Sequence, residues 1–171
     1  MNHFGSPARD AVDEIRDGWA ALRPELDTEA VDVIGRLIRA SALVVRATEE
    51  RLAAHGLTRG EFDVLTTLRR AGEPRSPSAL RTIGLASAPA ITKRLHALEK
   101  RGLVVRSANP ADGRGALIAL TEDGVELIDR AFPEVLAVER ELLAGVSAAQ
   151  RAEAARSLRA VLASVESAHE R

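Results

Sequence analysis

Lys93, His96 and Lys100 recur at helical spacing in a stretch that also carries Ser87, Pro89 and Thr92. At about 3.6 residues per turn, Pro89, Thr92, Lys93, His96 and Lys100 fall on or near one face, while Ile91, Leu95, Leu98 and Gly102 share the opposite one. The first face offers cations and hydrogen-bonding groups, which is the chemistry that meets base edges in a major groove and the phosphates beside it. Arg106 follows, and further on Arg114 stands between Gly113 and Gly115 with Asp112 two residues earlier. An arginine on a turn tip can enter a narrow A·T-rich minor groove, and Asp112 can orient its guanidinium through a charge-assisted bond. The same residues also read as a solvated basic face and a plain Asp-Gly turn.

The formal net charge of −1 hides an asymmetry. Residues 1–35 hold eight acids against three arginines, whereas residues 76–115 hold seven basic residues, including both lysines of the chain, against two acids. A positive segment centred on the candidate helix is the distribution that phosphate binding requires. Other chemistries lack their residues. There is no cysteine; His3, His55, His96 and His169 are scattered away from metal-ligand spacing, and no glycine-rich phosphate loop or nucleophile elbow is present. The expectation is therefore a protein that is not an enzyme and holds no metal or cofactor. The start, MNHFGSPARD, has no apolar targeting core, and no window approaches the roughly 18 apolar residues of a membrane span. A soluble cytoplasmic chain without a membrane partner is expected.

The elements that must position these residues can be read in order. Residues 9–23 place Val12, Ile15, Trp19 and Leu22 on one helical stripe ending near Pro24. Asp27 or Thr28 can cap a longer helix to about Ala54, whose apolar seam of Val31, Ile34, Ile38, Val45 and Leu52 is interrupted by the hydroxyl of Ser41. Thr58 and Glu61 form a capping box for a helix to about Arg70 that buries Phe62, Leu65 and Leu68. Residues 71–75 read as a loop, Ser76-Pro77 opens a short helix, a turn at Ile83, Gly84, Leu85 and Ala86 follows, and Ser87 caps the basic helix, so the pair reads as helix-turn-helix. After Gly102, β-prone residues 103–105 and 116–120 flank a long turn at 108–115. Thr121 opens a long helix that Pro133 is expected to kink or divide, and Ser147 with Gln150 caps the last. The expected fold is mainly α with a small β-hairpin wing: a winged helix-turn-helix over 57–120, with dimerisation helices over 9–54 and 121–169, in a single dimerising unit. The surplus of long apolar helix suits a homodimer interface.

Three segments together resemble the MarR family of winged-helix transcriptional regulators: LTRGEFDVL at 57–65, LHALEKRGLVVR at 95–106, and the wing Asp112-Gly113-Arg114 leading to Leu120-Thr121. The resemblance implies a dimer that represses a divergent neighbouring gene and leaves DNA when a small, often anionic aromatic ligand binds. The added N-terminal helix with Trp19 is similar to the urate-responsive branch of that family. The branch's ligand site then falls on Trp19, Asp63 and Arg94, with a fourth polar position at Ser41. By residue geometry alone Arg94 lies about 60° off the apolar axis of its helix, towards the protein, where it can meet Asp63 or an anion. The expected partners are double-stranded DNA, a second copy of the chain and an effector such as urate, a related purine or a phenolic anion. The other readings are a ligand-independent regulator or activator with a vestigial pocket, and a protein-only interaction module.

Overall fold

The computed structural model describes residues 9–80, 86–109 and 112–169, apart from the side chains of 112–114. Seven helices and one hairpin are found among them, in two compact units, Met1–Glu50 and Arg51–Arg171.

The first unit contains α1 (Ala11–Leu22) and most of α2 (Glu29–Ala53). Asp10 caps α1, accepting from Val12 N at 2.8 Å, while Asp13 accepts the Asp10 N–H at 2.9 Å. Asp27 is the side chain that caps α2, through the Glu29 N–H at 2.9 Å. Only Val12 of the α1 stripe is buried, and a Cβ at Gly35 of α2 would stand 2.9 Å from it. Ile15, Trp19 and Leu22 remain exposed. What holds α1 on α2 is therefore mostly charge. Arg36 donates to Asp10 at 2.9 Å and Asp13 at 2.8 Å, and Arg16 donates to both oxygens of Asp32 at 2.9 Å.

This clasp has a pH dependence. The Asp10 backbone N–H, and after it the Arg36 guanidinium, hold the Asp13 carboxyl below its ordinary 3.8. A depressed carboxyl stabilises above its ordinary value and ceases to do so as pH falls through its folded value. Acidification below about pH 3.8 is expected to free α1, and Arg36→Ala is expected to do so at neutral pH. Trp19 is the single tryptophan and is already exposed, so a fall in its fluorescence anisotropy, which reads mobility and not burial, reports the release. Constant anisotropy in acid and in the variant would show that α1 is held otherwise.

The second unit contains α3 (Arg59–Ala71), α4 (Pro77–Leu80), α5 (Ala88–Lys100), β1 (Val104–Asn109), β2 (Asp112–Leu120), α6 (Glu122–Leu142) and α7 (Ala148–His169). Its core gathers Leu52, Leu65, Leu95, Leu98, Ile118, Ile128 and Val135, all nearly or wholly removed from water. The capping box of α3 is present: Glu61 accepts from Thr58 N at 2.9 Å, and Thr58 Oγ1 accepts from Glu61 N at 3.3 Å. Thr121 caps α6 and also donates to Gly102 O at 2.7 Å, tying that helix to the turn that ends α5.

Three expectations are corrected. The hairpin strands are longer than residues 103–105 and 116–120, because pairing continues to Asn109↔Asp112 past an irregularity at Ala108 and Asn109. Backbone ladder bonds form whatever the β-propensity of Ser107, Ala108 and their neighbours. Arg75, expected in a loop, pairs with Ile118 through N–H···O bonds of 2.9 and 2.8 Å and so adds a single bridge beside β2 to the wing. Pro133 does not divide its helix: α6 runs unbroken through it, at the loss of one backbone donor. The predicted turn at Ile83, Gly84 and Leu85 lies outside the described residues. No helix among those described is long and apolar enough to cross a membrane.

Candidate nucleic-acid interface and adjoining cleft

The Ser87 hydroxyl caps α5 through Ala90 N at 3.4 Å, and Pro89 sits in the first turn, where its missing N–H costs nothing. Ile91, Leu95 and Leu98 anchor the inner face. Pro89, Lys93, His96 and Lys100 form an exposed stripe along the outer face, with Ser87 and Thr92 exposed beside them. Thr92 donates to Ala88 O at 3.0 Å, leaving its oxygen free to accept.

The basic residues of this segment divide between two jobs. Arg101 donates to Gly56 O at 2.9 Å and lies 3.7 Å from Glu61, so it fastens the end of α5 to the turn before α3. Arg106 is 4.0 Å from Glu99. The Arg94 guanidinium packs against Gly60, where a Cβ would lie 2.7 Å from Nη2. Among the described residues Lys93 and Lys100 enter no ion pair, so their charge is open to an external anion. Asp112 and Arg114 start strand β2, but their side chains, like Arg81, lie outside what is described.

Of the residues expected to hold a small ligand, Trp19 and Ser41 belong to the first unit and Asp63 and Arg94 to the second. Ser41 is exposed in the single chain, as are its neighbours Ile38 and Leu43 on the helix expected to take part in dimerisation. Asp63 pairs with Arg59 through a 3.0 Å bond instead of with Arg94. The reason is local: residues four apart on one helix meet without any tertiary fit. That spacing was the signal that could have identified Arg59, which the sequence reading missed. Arg94 is half-buried on the protein side of α5, as its angular position requires.

Asp63 and Arg59 open onto a cleft of 560 Å³ between α3 and α6. Phe62 and Phe132 stack along it with centroids 6.1 Å apart, and the Arg59 guanidinium lies 5.7 Å over the Phe62 ring. Arg69 bridges to Asp129 of α6 by two bonds of 2.8 and 2.9 Å, and this bond holds the Asp129 carboxyl below the usual carboxylate range. A stacked aromatic floor under convergent polar side chains is the composition of a small-molecule site.

Comparison with known proteins agrees with this geometry. Residues 55–115 match the profile of the MarR family. The transcriptional regulator PecS of Dickeya dadantii is 37% identical over 157 residues, covering 91% of this chain and 92% of PecS. A mutant of MarR from E. coli, solved in complex with operator DNA, superposes with a TM-score of 0.70 at 27% identity over 84% of this chain and 97% of its own. CouR from Rhodococcus jostii RHA1, solved with p-coumaroyl-CoA bound, gives 0.69 at 28% identity over 81% and 95%. The chain belongs to the MarR family of winged-helix transcriptional regulators.

Proposed function

We propose that this regulator is a homodimeric repressor of a pseudo-palindromic operator and that a small anionic or aromatic effector releases it. The observation that carries the DNA half is the exposed stripe Pro89, Lys93, His96 and Lys100, with both lysines free of internal ion pairs among the described residues. The operator complex of the E. coli relative supports it. Two such helices related by a two-fold axis enter successive major grooves roughly 34–36 Å apart, with Arg114 of each wing in a flanking minor groove and Asp112 orienting it. The dimer is supported by α7, which has no buried residue and exposes Leu158, Leu162 and Val165 along one side. An apolar helix face of that kind needs a partner.

The effector half takes urate, a related purine or a phenolic anion at Trp19, Asp63 and Arg94, with Ser41 as a fourth polar position. The ligand-bound CouR relative supports an effector.

A gel shift with the DNA upstream of the chain's own coding region tests the reading across a salt series. Lys93→Ala and Lys100→Ala are each expected to weaken binding and to reduce the salt slope by about one. Unchanged affinity in both would remove the assigned face, and the absence of any retarded band would favour a protein-only module. Melting temperature against urate, xanthine and salicylate tests the effector, since a ligand specific to the native state raises it.

A further inference from the structure

The cleft between α3 and α6 carries a different charge at each end. Phe62 meets Phe132 and Arg69 meets Asp129, so numbering rises along α3 as it falls along α6. Arg70 and Glu139 both line the cleft, displaced in opposite directions from the phenylalanine pair. At 1.5 Å per residue their Cα levels stand roughly 20 Å apart. Between them Arg59 is neutralised by Asp63 and Arg69 by Asp129. Neither Arg70 nor Glu139 enters an ion pair or hydrogen bond with a described residue. The cleft is therefore a slot with a net positive end, a net negative end and an apolar floor. Drawn out over that length, 560 Å³ suits a long ligand better than a single ring system.

We propose that this slot binds an elongated amphiphile, anionic at the end held by Arg70, cationic or N–H donating at the end facing Glu139, and apolar between. The inference rests on the reading above that an effector controls this regulator, and it names a ligand for the cleft, which shares Asp63 with the residues proposed there; a urate-sized molecule would engage one end only.

The test uses the full chain with 12-aminododecanoic acid, dodecanoic acid and urate as probes, read by melting temperature, by titration and by release of bound DNA. The amino acid is expected to stabilise the protein and release DNA, and dodecanoate, lacking the second charge, to bind on the order of tenfold more weakly. Arg70→Glu is expected to weaken the amino acid by at least about tenfold. Adding Glu139→Lys is expected to restore binding to within about threefold, because the ligand can then lie end for end between reversed charges. A structural role for Arg70 would not be rescued in this way. Both residues are at the rim, and unchanged circular dichroism verifies that the variants fold. Equal binding of the amino acid to wild type and Arg70→Glu would overturn the slot, as would stabilisation by urate with no response to the amino acid, which leaves the effector reading intact. No response to any of the three, or to xanthine and salicylate, would remove both.

Discussion

Gly124→Ala is expected to lower the melting temperature of the full chain by roughly 6–12 °C, from a cost of about 3 kcal/mol at about 2–4 °C per kcal/mol for a chain of this size. A Cβ at this position would overlap the carbonyl oxygen of Leu103 and stand 3.0 Å from its carbonyl carbon. Both are backbone atoms, so no side-chain rotation relieves the overlap. That carbonyl already accepts the Thr121 N–H at 3.2 Å, and Thr121 in turn caps α6 through Gly124 N at 3.1 Å. Moving Leu103 therefore loosens the junction at which α5 ends, the wing begins and α6 starts. DNA affinity should fall together with stability, since the recognition helix and wing share that joint. Gly18→Ala is the control: nothing lies within 4 Å of its Cβ, and alanine in a helix interior is worth up to about 1 kcal/mol over glycine. Comparable melting temperatures for the two variants would show that the junction yields without strain.

The parts of the fold legible in the sequence are those fixed by residues close together in the chain. The capping box of Thr58 and Glu61, the Ser87 and Thr121 caps and the two faces of α5 all depend on neighbours within about two turns, and each is found as read. Features that depend on distant backbone were not legible. The Arg75 bridge to Ile118 needs no special side chain at Arg75, so no residue type announces it. The α1 stripe shows the same limit from the other side. Ile15, Trp19 and Leu22 repeat at helical spacing, yet α1 is seated by Asp10, Asp13 and Arg36, because periodicity identifies an apolar face without saying what covers it. Helical geometry put Arg94 on the protein side of α5, against Gly60, but it could not rank Asp63's two possible partners. The local one, Arg59, is the one found.

Arg94→Ala is expected to leave operator affinity within about threefold of wild type while reducing effector-induced release at least tenfold, because the side chain faces the protein and not the groove. Gly60 allows a sharper form of this experiment. The Arg94 guanidinium occupies the space a side chain at residue 60 would fill, so Gly60→Ala must push it off α3 while leaving its charge in the molecule. The displaced atoms are the far end of a flexible side chain, so the fold should tolerate the change, and the added helix propensity offsets part of any cost. If regulation depends on where the guanidinium sits, Gly60→Ala reproduces the Arg94→Ala phenotype. The double variant then adds nothing further, since both changes remove one contact. If regulation depends only on positive charge near the effector, Gly60→Ala releases DNA normally and Arg94→Ala alone fails. Normal release by both variants would separate Arg94 from the effector response. The coupling between α3 and α5 would then have to run through the apolar contacts of Leu65, Leu95 and Leu98, which a small ligand has no direct means of biasing.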